Sequence, residues 1–316
     1  MGPVVIVGAG AIGLWSAARL APVTEVWLLT RPSRLLGLEG GIRLETLPDA
    51  DPDGQGGDTT VPPERFRAVG DPADLPTEPD LILVATRAYQ TRDAVEALKE
   101  AGIRPRIAMT LQNGLGNAEA LAAAFGAERV VVGTTTHGVT LLGPDHARHA
   151  GAGDTRVGPW VPAAAEATRK IAALLDAAGV PTEVVDDPRR MLWLKVAVNA
   201  AINPPTAIHR IENGVLLDGG PLEADLRAAA REVADVAQAE GVDLAPEEAE
   251  AAAVSVARRT ARNRSSMLQA LLAGRPLETD AITGEVVRRA ARHGIDVPIN
   301  RRLLSELEMS MRSRGH

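Results

Sequence analysis

The chain has no cysteine, few aromatic residues (four Trp, one Tyr and two Phe in 316 residues) and only three lysines among its 34 basic residues. Without cysteine there are no disulfides, no thiolate nucleophile and no cysteine-ligated zinc. No stretch approaches the ~20 unbroken apolar residues of a membrane-spanning helix, so a soluble protein with no membrane partner is expected. The N-terminus shows no leader pattern: Val4–Val7 is a short apolar run ending at once in glycines, read here as a strand of a cytoplasmic protein. The net charge of −7, with both signs interspersed, leaves no basic stripe and argues against a nucleic-acid partner. Lysine is scarce because arginine serves wherever a generic cation suffices, which singles out Lys99, Lys170 and Lys195.

What is there is ordinary globular material, with 45% hydrophobic and 24% charged residues. The length exceeds one ordinary core and fits two domains, which the pattern divides into residues 1–187 and 188–316. In the first, apolar runs at 4–7, 25–30, 80–86, 106–111 and 129–133 read as strands covered on both faces, and weaker strand-like pieces occur at 41–46 and 64–69. Helical patterns fit 11–20, 91–101, 117–125 and 163–178, and this alternation implies a parallel, doubly wound sheet. The Pro-, Asp- and Gly-dense stretch 48–57 reads as a surface loop. Beyond Asp187-Pro188 the strand signal disappears and helical patterns run to the end, with breaks expected at Asn203-Pro204-Pro205, 218–221, Gly241 and 274–276. The second domain is therefore expected to be all-helical.

The run Val4-Val5-Ile6-Val7 leads directly into Gly8-Ala9-Gly10-Ala11-Ile12-Gly13 and then into a helix. In a dinucleotide site the first glycine makes the tight turn, the second admits a pyrophosphate and the third lets helix and strand pack closely, while free N–H groups at the helix start face the phosphate. Three glycines alone could serve an ordinary turn; the strand before them and the helix after them point to a dinucleotide. The next strand ends at Thr30-Arg31-Pro32-Ser33-Arg34, with no acid to hold ribose hydroxyls. Arg31 and Arg34 there favour the 2′-phosphate of NADPH, unless they are solvated arginines of an arginine-rich chain. Thr86-Arg87-Ala88-Tyr89 and Asn113-Gly114-Leu115-Gly116-Asn117 follow later strands, where such a sheet places its ligands, although Asn-Gly is also plain turn chemistry. No role for His137 follows from the threonine run before it.

The opening helix of the second domain carries Lys195 and Asn199 four residues apart on one face of an otherwise apolar segment, with Asn203 just before the prolines expected to stop it. A desolvated amine has its pKa lowered toward the range useful for proton transfer; the alternative is a lysine snorkelling outward beside packing asparagines. Further on stand Asn263-Arg264-Ser265-Ser266-Met267-Leu268-Gln269 and Pro276-Leu277-Glu278-Thr279-Asp280, in which Glu278 falls in the first turn of a helix, where a carboxylate also serves as a cap.

Taken together, these residues resemble the ketopantoate reductase family over nearly the whole chain. The motifs in order are the glycine fingerprint, Gln112–Gly116, Gly133–His137, Leu192–Asn199 with Ile202-Asn203-Pro204, Ser265–Gln269, and His293–Pro298. The resemblance implies a Rossmann-type domain followed by a helical one, and the NADPH-dependent reduction of a small 2-keto acid, 2-dehydropantoate, to pantoate in pantothenate and coenzyme A synthesis. It implies Lys195 as general acid; Asn199, Asn203, Ser266 and Glu278 as substrate-holding residues; Asn113 as a contact of cofactor and substrate; and Asn263 as a second polar contact. With Gly8, Ala9, Gly10, Ala11, Ile12 and Gly13 of the fingerprint and Arg31 at the strand end, the expected cofactor set also takes in Arg87, Asn113 and Glu278. Arg87 departs from the family, which commonly has a lysine there; arginine binds an anion but does not release its proton at ordinary pH. A reductase of another 2-keto acid and a non-catalytic NADPH-binding sensor are the alternatives, and a homodimer is left open.

Overall fold

The computed structural model describes residues 1–51 and 53–312; Pro52, in the expected surface loop, and the last four residues of the expected second domain lie outside the described residues. The chain divides into two compact units, 1–112 with 117–188, and 113–116 with the segment from 189 onward.

The first unit runs β1 (Val4–Val7), α1 (Ala11–Leu20), β2 (Val26–Leu29), β3 (Ile42–Thr46), β4 (Gly57–Val61), β5 (Phe66–Val69), β6 (Leu81–Val84), α2 (Thr91–Glu100), β7 (Ile107–Thr110), α3 (Asn117–Phe125), β8 (Val130–Thr135), β9 (Gly138–Leu141), β10 (His146–Gly151), β11 (Thr155–Pro159), α4 (Ala165–Ala177) and β12 (Thr182–Val184). Eight strands form the main sheet in the order β12-β11-β8-β7-β6-β1-β2-β5, parallel throughout except where β11 meets β8. The sequence explains the centre: β1 and β6 are apolar at every position, β7 is apolar up to Thr110, and all three are buried throughout, as strands covered on both faces must be. Chain order reverses between β1 and β6, which is where a sheet of this kind opens a crevice at the carboxyl ends of its strands.

A second, four-stranded sheet, β4-β3-β10-β9, packs over α1, and the strands expected above have no counterpart for β4, β9, β10, β11 or β12. The reason is chemical. Strand β10 reads His-Ala-Arg-His-Ala-Gly and β4 reads Gly-Asp-Thr-Thr-Val, neither with the β-branched alternation that marks a strand, so their extended form rests on pairing with β3 and β9. Between α1 and this sheet, Trp15, Ile42, Leu44, Val61 and Ala147 join the main core.

The same layer holds a histidine pair, His149 buried and His137 half-buried. Gly153 N–H donates to His137 Nδ1 (3.1 Å), so that nitrogen carries no proton and accepts from His149 Nε2 at 2.9 Å. Both rings pack on Trp15. Burial, then the neighbouring His137 and Arg19, push His149 down to about 4, while Asp154 only partly offsets the lowering of His137. Sign follows from linkage: with an unfolded pKa near 6.5, the unfolded chain takes up a proton that the fold refuses until about pH 4. Stability from this site is therefore present above pH 6.5 and lost as pH falls toward 4, by about 3 kcal/mol at most. Urea midpoints measured from pH 7 to 4 should fall less steeply in His149→Gln; an identical acid limb in both proteins would show that the pair does not govern it.

The second unit, apart from residues 113–116, holds α5 (Pro188–His209), α6 (Pro221–Ala239), α7 (Pro246–Arg259), α8 (Ser266–Leu272), α9 (Thr283–His293) and α10 (Pro298–Arg312), with Pro188 itself counted in the first unit. Helix α6 packs against α7, α9 and α10. Buried Glu232 on α6 accepts from the backbone N–H groups of Ile299 and Asn300 and from Asn300 Nδ2, holding a carboxylate at the N-terminus of α10. The expected break at Asn203-Pro204-Pro205 is corrected: α5 continues through both prolines to His209. The prolines remove the donors that would reach the carbonyls of Ala200 and Ala201. Burial of Ile202 through Ala207 nevertheless holds the turn, and Thr206 Oγ1 donates to the Ile202 carbonyl (2.8 Å) and bonds Ser265 Oγ (2.7 Å). The helix ends instead at Arg210, whose φ is +56°.

Candidate functional site

At the carboxyl end of β1 the backbone makes its turn at Gly8, whose φ of +107° suits glycine, and whose hydrogen faces the backbone nitrogen and methyl of Thr86. A Cβ on Gly13 would lie 1.8 Å from the Gly8 carbonyl oxygen, so α1 sits directly on the turn. Gly10 is different: a Cβ there would meet only the Ala85 carbonyl, at 3.8 Å. The closed positions build the turn, and the open one leaves room for a ligand to approach the backbone, which fits a dinucleotide pyrophosphate. Ala9 is buried in the core, and Ala11 and Ile12 open the helix with no acidic residue in its first turn.

At the end of β2, Arg31 is exposed and Arg34 half-buried, its guanidinium donating to the Pro144 carbonyl (3.1 Å). Burial first, and the adjacent Arg31 second, lower the pKa of Arg34. Two cations close enough to disfavour one another, with no acid in the segment, make a place suited to an anion. Arg87, after β6, is half-buried and precedes the short 3₁₀ turn Ala88–Gln90.

In the second unit, α5 presents Lys195 and Asn199, both half-buried, and buried Asn203 one turn further along the same continuous helix. Trp193, beside them, is buried with the Arg289 guanidinium 5.7 Å from its ring centre. Withdrawal from water pushes the Lys195 ammonium down to about 8, and the nearby Glu278 carboxylate opposes that lowering. The other two lysines are surface residues in local pairs, Lys99 with Glu96 and Lys170 with Glu166. Glu278 does not sit in the first turn of an α-helix as expected; it precedes the 3₁₀ turn Thr279–Ala281 and its side chain caps nothing, because α9 starts only at Thr283. Its carboxylate acts instead on the charge of Lys195.

Asn113 is half-buried, and the loop it opens is seated on the Glu278 segment: Leu115 N–H donates to the Ala281 carbonyl (3.0 Å). Asn263 and Ser266 are exposed on the approach to α8. It is Ser265 that is buried, capping α8 through Leu268 N–H and tying it to the last turns of α5. Gln112, which the sequence places in a motif but to which it assigns no role, is buried at the end of β7 in a network with Thr86, Thr91 and Thr110. Its signal was a polar pair, Thr110 and Gln112, closing an otherwise apolar run.

A phosphate-admitting glycine turn at the switch point of a parallel sheet, and an amine held near neutrality by burial, are parts for moving a hydride and a proton. The class they define is the pyridine-nucleotide-dependent oxidoreductases acting on CH–OH groups. Comparison with known proteins narrows this. Residues 4–162 match the profile of the family described as ketopantoate reductase PanE/ApbA, and residues 187–310 that of its C-terminal domain. The 2-dehydropantoate 2-reductase of Halobacterium salinarum is 38% identical, over 98% of this chain and 99% of its own. That of Archaeoglobus fulgidus is 33% identical, over 95% of each. A crystal structure of a PanE/ApbA family ketopantoate reductase from Ralstonia eutropha superposes with a TM-score of 0.86 at 33% identity, covering 99% of this chain and all of the other. The chain belongs to the ketopantoate reductase family.

Proposed function

We propose that the protein reduces 2-dehydropantoate to pantoate with NADPH, a step of pantothenate and coenzyme A synthesis, with the cofactor held by residues 1–187 and the substrate and proton donor by residues 188–316. The observation that carries the reading is Lys195: half-buried, beside Glu278, with its pKa pushed down to about 8. NADPH, when bound, supplies the hydride that goes to the C2 ketone. Lys195 Nζ gives a proton to the C2 oxygen as negative charge develops there, and at neutral pH it is protonated yet able to release. Glu278 keeps that proton on the amine before the reaction and, with Ser266, holds the hydroxyl and carboxylate of the substrate. Asn199 and Asn203 on α5, with Asn113 and Asn263, fix its orientation. Arg87 serves as an anion contact for cofactor or substrate.

The choice of NADPH over NADH rests on Arg31 and Arg34 at the end of β2. Arg31→Ala should raise the Kd for NADPH by about 10- to 100-fold, the worth of a charge-assisted contact, and leave that for NADH within about twofold. Equal weakening of both would reduce Arg31 to a surface charge. Turnover of ketopantoate, ketoisovalerate and pyruvate, each with NADPH and NADH, tests the whole reading. Ketopantoate with NADPH should give the highest kcat/KM, and a higher value with pyruvate or with NADH would overturn it.

A further inference from the structure

We propose that Gln112 is a positioning residue for the dinucleotide, acting through Thr86 on the glycine turn; this rests on the cofactor reading above. Gln112 is 7% exposed and stands where β7 leaves the sheet. Its Nε2 donates to the Thr86 carbonyl (2.8 Å) and to Thr91 Oγ1 (2.8 Å), with Thr86 Oγ1 at 3.2 Å. Its Oε1 accepts from Thr110 Oγ1 (3.0 Å), and Thr91 Oγ1 in turn donates to Asn117 Oδ1 (2.8 Å). The amide can face only one way, because reversing it would set its oxygen against the Thr86 carbonyl. One buried side chain thus joins four segments at the carboxyl edge of the sheet: the exits of β6 and β7 and the first residues of α2 and α3.

The consequence reaches the phosphate turn. Thr86 is the residue that Gly8 faces, its nitrogen and methyl each 3.0 Å from where a Gly8 Cβ would stand. Upstream of it, Ala85 N–H is bonded to the Val7 carbonyl (2.9 Å), so β6 and the turn after β1 move together up to that point. Beyond it the strand has ended, and Gln112 Nε2 holds the Thr86 carbonyl. Without that bond the wall of the crevice opposite the glycine turn, and Arg87 immediately after it, lose their support.

Two variants of the full-length protein test this by titration with NADPH and by steady-state kinetics. Gln112→Met keeps length and burial but removes both polar ends; Kd for NADPH should rise about 10-fold, with kcat at saturating cofactor kept within about threefold. Gln112→Glu keeps the shape, but its ionised form sets a negative oxygen against the Thr86 carbonyl, whereas the protonated form restores one donor. Its Kd relative to the unmodified protein should therefore fall about 10-fold from pH 8 to pH 6, a response that a purely packing role would not produce. A Gln112→Met protein binding NADPH within twofold of the original, or a Gln112→Glu ratio independent of pH, overturns the proposal. If Gln112→Met does not fold, the pH response of Gln112→Glu decides alone. An unmodified protein that binds neither NADPH nor NADH would instead bring down the cofactor reading, and this inference with it.

Discussion

Lys195→Ala is expected to lower kcat by about 10²–10⁴-fold, the usual worth of a positioned general acid, with NADPH affinity and the circular dichroism spectrum unchanged. Lys195→Arg should not restore the rate, because a guanidinium keeps its proton in the working pH range. The pH profile carries the finer test. Reduction needs the protonated amine, so kcat/KM should fall as pH rises through about 8, and the reverse oxidation, which needs the free amine, should rise through the same region. Glu278 raises the lysine pKa, so Glu278→Gln should move the alkaline limb to lower pH in addition to weakening the substrate. Near-normal kcat in folded Lys195→Ala, or a limb that Glu278→Gln leaves in place, would remove Lys195 from the proton transfer. Arg87→Ala should act mainly on KM or on cofactor affinity.

Gly114→Ala should be the most damaging small substitution in the second unit. Its φ is +86°, and a Cβ there would lie 2.3 Å from the Ala281 carbonyl oxygen, a backbone atom with no flexible end to move aside. The alanine both strains its own backbone and drives the Asn113 loop off the segment that carries Glu278. A loss of about 3 kcal/mol is expected in urea unfolding, together with a raised KM for the keto acid. Gly116→Ala is the matched control: φ is +91°, but nothing lies within 4 Å, so only the backbone cost of about 1 kcal/mol remains. If the two variants are equally stable, the contact with Ala281 carries no weight.

The centre of the main sheet was readable because its signals are local. A wholly apolar strand, a glycine turn and a helix start within ten residues of one another, and the bounds expected for α1 and α3 match those observed. Lys195 stood out for a comparable reason: helical spacing places it beside Asn199 wherever the helix packs, and its rarity in an arginine-rich chain marks it. The second sheet was not readable. Strands β4 and β10 are polar or alanine-rich, and what holds them extended is hydrogen bonding to partner strands, about 100 positions away where β10 meets β3, and not the residues they contain.

Pro204-Pro205 shows the limit of local chemistry from the other side. The rule that proline stops a helix describes lost hydrogen bonds, and it is outweighed where the surrounding residues are buried well enough to hold the turn without them. Sequence alone determined the order of elements at the core of the parallel sheet, the glycine turn, the helical character of the second half and the three lysines from which one had to be chosen. Tertiary structure decided which lysine loses its water, that Glu278 faces it instead of capping a helix, and that Gln112 braces Thr86. Desolvation and long-range hydrogen bonding depend on neighbours that only the folded chain brings within reach.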